Sequence, residues 1–185
     1  MKRRGVKQVF IAATDNLTGF GQAIQAVYPE CLQQICIVHQ VRNSLKNVVW
    51  ADRKELAADL KTVYTATDRS EAEEKLLQVE EKWGDKYPHI FRSWTTNWEK
   101  LTVFFDYPVE IRRLIYTTNV IENLNRVLRK YTKGKTIFPS DQAVQKSVFL
   151  AVEHISKKWS MPVANWPLIR AQFIILYPDK IPPEL

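Results

Sequence analysis

The sequence is poor in the residues on which disulfide-rich and zinc-stabilised proteins depend. Among its 185 residues are only two cysteines, Cys31 and Cys36, and three histidines. Two cysteines cannot form a disulfide framework, and three histidines leave few candidates to complete a zinc site. Neither redox chemistry nor structural-metal chemistry is favoured.

Long apolar runs are also missing. No stretch approaches the roughly 20 uncharged apolar residues of a membrane span. The basic start, Met1 to Arg4, leads into a short apolar run without a small-residue cleavage site. The sequence therefore predicts a cytoplasmic protein without a membrane anchor. With 45% apolar, 11% aromatic and 25% charged residues, it has the balance of a globular protein that buries a real core.

The net charge of +7 is concentrated at the two ends of the chain. Residues 1–50 hold six Lys/Arg against two Asp/Glu, residues 51–100 hold nine against eleven, and residues 101–185 hold twelve against seven. Basic flanks of this kind bind phosphate backbones through counterion release, which favours DNA as a partner. On charge alone, solvated surface lysines explain the excess equally well.

The first 50 residues have the pattern of a βαβ unit. Val9–Ala13 predicts a short buried strand, Leu17–Tyr28 a helix stopped by Pro29, and Leu32–His39 a second strand. Strands joined in this way are parallel, with a right-handed crossover. Asp15 then lies at the carboxyl end of the first strand, where open α/β sheets place their sites.

From Trp50 to about Glu110 the pattern is wholly helical, which predicts an inserted segment of three helices. Asp52 is expected to cap the first helix. The third is expected to carry Phe91, Trp94, Trp98, Leu101 and Phe105 on one face. Trp94 and Trp98 could stack on an unpaired base, but core packing is favoured because both lie on the apolar stripe.

A further helix is predicted from Thr117 to about Tyr131, with Glu122 in its first turn. Its apolar stripe should consist of Ile121, Leu124, Leu128 and Tyr131. Glu122 points the other way and begins a basic face with Arg126, Arg129, Lys130, Lys133 and Lys135. A purely structural role is also open, because Asn119 and Glu122 resemble a capping box and Glu122 could pair with Arg126.

Four blocks of sequence carry a resemblance to a known family. They are Asp15–Phe20, Cys36–Leu45, Tyr116–Asn125 and Ile155–Trp159. In this order they are similar to the Mutator-type insertion-sequence transposases of bacteria, and the similarity extends from about Arg4 to Tyr177. The sequence departs from the family at Asn16, since the family commonly has Asp-Gly-Leu where this chain has Asp15-Asn16-Leu17.

The resemblance implies an α/β, mostly helical fold: a partial ribonuclease H-like core with two parallel strands, interrupted by an all-α insertion. It divides the chain into a first core part (1–50), the insertion (51–110), and a part with the catalytic-glutamate helix and C-terminal helices (111–185). Asp15 matches the family's second catalytic aspartate and Glu122 its catalytic glutamate. Cys36 and His39 match a Cys-x-x-His signature. The first catalytic aspartate is expected to precede residue 1.

The implied chemistry is metal-dependent. Two Mg²⁺ (or Mn²⁺) ions about 4 Å apart would activate the attacking oxygen and stabilise the leaving one, with Asp15 and Glu122 as ligands. His39 is expected to act in orientation or hydrogen bonding at the catalytic site. A zinc site of Cys36, His39 and Asp15 is the weaker interpretation, because a single two-residue spacing is little evidence.

Three functions remain open at this point. The chain could be a transposase fragment for DNA cleavage and strand transfer, inactive alone, with element ends and target DNA as partners. It could instead be a non-catalytic regulator that binds element DNA or pairs with full-length transposase. An unrelated basic helical interaction module is the third.

An unpaired apolar edge at Val9–Ala13 also predicts a homo-oligomer or aggregation.

Overall fold

A computed structural model of the chain describes residues 1–116, 119–135, 137–160 and 163–181, leaving aside the side chains of residues 119–121. The chain folds as two compact units, Met1–Tyr116 and Thr117–Leu185. The first unit contains both the expected βαβ segment and the helical segment that follows it. No helix in the described ranges is long and apolar enough to cross a membrane.

Two parallel strands form the sheet of the first unit. β1 (Ile11–Thr14) pairs with β2 (Leu32–Ile35) in a register that runs from Ile11 opposite Leu32 to Thr14 opposite Ile35. The helix α1 (Phe20–Val27) connects them, and a short 3-10 helix at Lys2–Arg4 precedes β1. The prediction of a mostly helical chain with one parallel strand pair is confirmed.

The second strand is shorter than the sequence predicts. It ends at Ile35; the backbone N–H of Cys36 donates to the carbonyl of Thr14 at 2.7 Å, and α2 (Ile37–Leu45) begins at once. His39 therefore lies in a helix, so the predicted strand Leu32–His39 was wrong beyond Ile35. The cause is that a short apolar run is compatible with either a buried strand or a buried helix.

The first helix also begins later than predicted. Its start is Phe20 rather than Leu17, since Gly19 precedes it with a φ of 79°, in the left-handed region that favours glycine. It ends at Val27, close to the expected stop before Pro29. The helix nevertheless makes the crossover between the two strands, so the predicted βαβ order is retained.

The helical segment of the first unit contains more helices than the three that were predicted. Its α-helices are α3 (Trp50–Tyr64), α4 (Arg69–Trp83), α5 (Pro88–Thr96), α6 (Trp98–Leu101) and α7 (Val109–Tyr116), with a 3-10 helix at Val103–Asp106. Val49, not Asp52, is the N-cap of α3. The single third helix that was predicted is broken at Asn97, whose side-chain amide donates to the carbonyl of Ser93 at 2.8 Å. Such side-chain bonds to the backbone compete with helix continuation.

A buried glutamine joins this segment to the sheet. Gln34 of β2 is only 1% exposed. Its Oε1 accepts from the backbone N–H of Phe104 and its Nε2 donates to the carbonyl of Leu101, both at 2.8 Å. A buried amide is stable only when its polar atoms are paired in this way. Gln34 thus fixes the end of the helical segment against β2.

Helix α2 is fixed to α5 by a second set of buried contacts. Trp94 is 1% exposed, and its indole N–H donates to Ser44 Oγ at 2.9 Å. Gln40 Nε2 donates to Ser93 Oγ at 3.1 Å. The expected core-packing role of Trp94 is confirmed, and a buried ring of this kind is not accessible to a nucleic-acid base.

The second unit contains α8 (Asn119–Thr132), α9 (Asp141–Ser156) and α10 (Trp166–Leu176), and α8 packs against α9. Ser140 caps α9 by accepting a hydrogen bond from the backbone N–H of Ala143 at 3.2 Å. The expected apolar stripe of α8 is half-buried at Leu124, Leu128 and Tyr131, whereas the side chain of Ile121 lies outside the described ones.

Candidate functional site

The carboxyl edge of the strand pair carries the first candidate residue. Asp15 directly follows Thr14, the last residue of β1, and its side chain is exposed. The bond from Cys36 N–H to the Thr14 carbonyl brings the start of α2 to the same edge. Asp15 therefore has the position that was predicted for it, in an open location that a ligand can reach.

The turn after Asp15 is formed by Asn16. Its φ of 63° is in the left-handed region, which Asn adopts more readily than most residues. The side-chain Nδ2 donates to Asn97 Oδ1 at 3.2 Å, across 81 positions of sequence. Asn16 thus makes a left-handed turn after Asp15 and contacts the helical segment.

Cys36 and His39 lie at the beginning of α2. Cys36 is the residue before the helix and is 4% exposed, so its side chain is packed in the core. His39 is in the first turn, and its Nδ1 is buried without a hydrogen-bond partner among the described atoms. Over those same residues, no three His, Cys, Asp or Glu side chains are grouped as a metal site, so the zinc interpretation gains no support. The orienting role of His39 stays a prediction.

Glu122 and the basic residues belong to the second unit. Glu122 is half-buried in the first turn of α8. Arg126, Arg129, Lys130 and Lys133 are exposed and recur at the i, i+3, i+4, i+7 spacing that places them on one face. Three residues of the predicted basic face therefore lie on this helix, and Lys133 follows directly after its last residue, Thr132.

Two of the basic side chains have defined neighbours. Arg126 donates to Asn123 Oδ1 at 2.9 Å. Lys135, beyond the end of α8, donates to Ser147 Oγ at 3.1 Å and lies 5.3 Å from the ring centroid of Phe138. The capping role suggested for Asn119 falls on a side chain outside the described ones. The expected approach of Asp15 to Glu122 stays a prediction, because the two residues lie in different units.

Three residues that position the site of the first unit were not recognised in the sequence. They are Gln34, Asn97 and Ser44, which tie the strand end and α2 to the helical segment. The only signal for Gln34 was a pair of polar residues, Gln33 and Gln34, within the predicted strand. Asn97 sits between two tryptophans and had no comparable signal.

A known protein family matches most of the chain. A profile of the family described as "Transposase, Mutator family" matches residues 1–162. The chain belongs to the Mutator family of transposases. The blocks around Asp15, Cys36–His39 and Glu122 all fall inside the matched region, so the family resemblance of the four sequence blocks is confirmed.

Individual insertion-sequence transposases are also similar to the chain in sequence. "Probable transposase for insertion sequence element ISRM3-like" of Sinorhizobium fredii is 40% identical over 182 residues, covering 97% of this chain and 45% of the relative. The transposase for insertion sequence element ISRM3 of Rhizobium meliloti is 39% identical, with the same coverage. The transposase for element IS905 of Lactococcus lactis is 32% identical over 163 residues, covering 88% of this chain and 41% of the relative. The chain thus spans less than half the length of these Mutator-family relatives.

Proposed function

We propose that the chain supplies part of the catalytic core of an insertion-sequence transposase, for DNA transposition by phosphodiester cleavage and strand transfer. The observation that carries this proposal is the family match over residues 1–162, inside which Asp15 is exposed at the carboxyl edge of a parallel strand pair. Fold alone would not support a function, but a family match joined to a site of suitable chemistry does.

We infer further that the core is ribonuclease H-like and of the DDE type. The parallel βαβ unit followed by an all-helical segment supports this assignment, because the implied core is interrupted by an insertion at this point. Gln34 and the Trp94–Ser44 contact hold the insertion on β2 and α2. Asp15 would then be supported on two sides, by the strand it follows and by the helical segment through Asn16.

Mg²⁺ or Mn²⁺ is the proposed cofactor, with Asp15 and Glu122 as two of its ligands. Carboxylate oxygens are the donors that these hard cations take, although two carboxylates do not complete a two-metal site. When bound, the ions would neutralise charge at the phosphorus and activate the attacking oxygen. The protein's own contribution is to hold the Asp15 turn through Asn16 and Asn97 and to orient neighbouring groups through His39.

DNA is the proposed partner, as element end and as target. The face of α8 that begins after Glu122 carries four exposed basic side chains, and Lys135 follows it. Exposed guanidinium and ammonium groups on one helix face can follow a phosphate backbone without reading sequence. Glu122 would then lie at one end of a phosphate-binding surface, which is the placement a cleavage site needs.

Replacing Arg129, Lys130 and Lys133 by glutamine is expected to make duplex binding less dependent on salt. Each lost phosphate contact removes about 0.9 from the slope of log K against log salt, so the triple variant should lose about two to three units. Fluorescence anisotropy with a labelled duplex across a salt series measures this slope. A triple variant at Lys61, Arg92 and Lys100, which are exposed in the first unit, has the same charge change and should keep the wild-type slope. Equal slopes for all three proteins would contradict the assignment of α8.

A further inference from the structure

Trp50 is the most exposed of the six tryptophans of the chain. Its side chain stands at the N-terminus of α3 and is 83% exposed, whereas Trp83 and Trp94 are buried in the core of the same unit. An indole ring is the largest apolar surface that a side chain offers. In Trp50 nearly all of that surface is left for a partner.

The ring is held in place by an arginine. The guanidinium carbon of Arg53 lies 5.9 Å from the Trp50 ring centroid. Arg53 Nε donates to the carbonyl of Val48 at 2.9 Å and Nη2 to the carbonyl of Lys46 at 3.4 Å, which fixes the guanidinium against the loop before α3. Trp50 and Arg53 thus form a pre-organised pair, with a cation beside an aromatic face.

The surroundings of this pair are basic. The 21 residues from Cys31 to Ala51 contain no Asp or Glu. Arg42 and Lys46 are exposed on the side of α2 opposite its buried residues, and Lys54 is exposed one turn after Trp50. A negatively charged ligand would therefore meet cations on both sides of the ring.

The nearest acidic groups are already paired. Asp52 contacts Lys86 Nζ at 2.5 Å and accepts from the Tyr87 hydroxyl at 2.5 Å, and these hydrogen bonds hold the pKa of Asp52 below its usual value. Glu55 pairs with Lys82 at 2.7 Å. Asp52 is thus paired with Lys86, whereas Glu55 shares Lys82 with Asp59, whose carboxylate lies 2.8 Å from the same ammonium.

The basic side of α2 also points back to the candidate site. His39, Arg42 and Lys46 follow one another at intervals of three and four residues, on the face opposite the buried Ile37, Gln40 and Ser44. The helix from His39 to its end at Leu45 covers about 9 Å, and Lys46 follows directly. The stripe therefore runs from the edge that carries Asp15 to Trp50.

We propose that this stripe binds single-stranded DNA, with phosphates at Arg42, Lys46 and Arg53 and one unpaired base stacked on Trp50. This inference rests on the proposed function for the nature of its ligand, and it adds a surface distinct from the basic face of α8. A single strand is the partner that fits both features, because its phosphates meet the cations and its bases are free to stack. A duplex would offer only the phosphates.

The test uses the 185-residue chain and a fluorescein-labelled single strand of mixed sequence, about 20 nucleotides long, in an anisotropy titration. Trp50→Ala should weaken binding about tenfold, and Trp50→Phe, which retains an aromatic face, should stay within about threefold of wild type. Phe149→Ala removes a side chain that is 66% exposed in the second unit and serves as the matched control, with no expected change. Circular dichroism verifies that each variant is folded.

Salt dependence separates stacking from charge. Lys46→Gln should lower the slope of log K against log salt by about 0.7, while Trp50→Ala should shift log K at every salt concentration without changing the slope. A Trp50→Ala protein that binds the single strand as wild type does would overturn the inference. So would a change of oligomeric state in this variant without a change in affinity, which would assign the ring to a protein interface.

Failure of the inference and failure of the proposed function give different results. If the chain binds neither duplex nor single strand, DNA is not its partner and both proposals fall. If the α8 variant lowers the salt slope of duplex binding but Trp50→Ala leaves the single-strand affinity unchanged, only the inference is wrong. Loss of single-strand affinity in Trp50→Ala, with duplex affinity unchanged, supports the inference.

Discussion

The purified 185-residue chain is expected to leave DNA uncut in the presence of Mg²⁺ or Mn²⁺. The family resemblance implies three catalytic carboxylates, and we propose that Asp15 and Glu122 are two of them. With two ligands the metal ions should be held weakly and the attacking and leaving oxygens poorly aligned, so that both positioning and electrostatic stabilisation are lost. A nicking assay on supercoiled plasmid and on a duplex with the element end measures this directly.

A second experiment tests whether cleavage can be restored. Adding the part of the Rhizobium meliloti relative that this chain does not match, as a fusion, should produce metal-dependent cleavage. Asp15→Asn or Glu122→Gln in the fusion should lower the rate at least about a hundredfold. Lys61→Gln, far from either carboxylate in sequence, is the control and should cleave normally. Robust cleavage by the chain alone, abolished by either carboxylate substitution, would contradict the account; a fusion that binds DNA but never cuts would favour the regulator.

Replacing Trp94 by alanine is expected to destabilise the first unit by about 3 to 5 kcal/mol, the usual cost of deleting a buried tryptophan. The indole ring is enclosed in the core, and its N–H is the donor to Ser44 Oγ at 2.9 Å. Removing it leaves a cavity between α5 and α2, and Ser44 Oγ loses the indole donor while it keeps its own hydrogen bond to the Gln40 carbonyl at 2.8 Å. Urea unfolding monitored by circular dichroism measures the free-energy difference.

Trp50→Ala is the matched control, because the same atoms are removed from an exposed position. Its free energy of unfolding should stay within about 0.5 kcal/mol of wild type. The two variants therefore separate the expected roles of the two tryptophans. Trp94 stabilises the first unit, and Trp50 is proposed to bind single-stranded DNA. A Trp94→Ala protein with the wild-type free energy of unfolding would contradict the buried contact between α5 and α2.

The strand order and the position of Asp15 could be predicted from the sequence, since they follow from strong local signals. An apolar run that ends in Thr14-Asp15, a helix-period segment stopped before Pro29 and a second strand signal that starts at Leu32 specify the order of a βαβ unit, although not the end of its second strand. The basic face of α8 was equally accessible, because helical spacing alone places Arg126, Arg129, Lys130 and Lys133 together.

What could not be predicted depends on contacts between distant parts of the chain. The end of β2 at Ile35 lies within an apolar run that is compatible with either a strand or a helix, and the hydrogen bond from the Cys36 N–H to the Thr14 carbonyl at this point joins residues that are distant in sequence. Asn97 breaks a helix whose apolar periodicity continues through it, and it contacts Asn16 across 81 positions. Gln34 is buried because its partners, Leu101 and Phe104, arrive from the other end of the unit. Tertiary contacts of this kind override local preference.

The proposed metal site requires Asp15 and Glu122 to bind the same pair of metal ions. A crystal structure of the chain or the restored fusion with Mn²⁺, with data recorded for anomalous scattering, tests it most directly. The account predicts an anomalous peak at both carboxylates, with their oxygens about 4 to 8 Å apart, as ligands of ions about 4 Å apart would be. Carboxylates more than about 12 Å apart in a well-ordered crystal, beyond the reach of a shared two-metal centre, would contradict it.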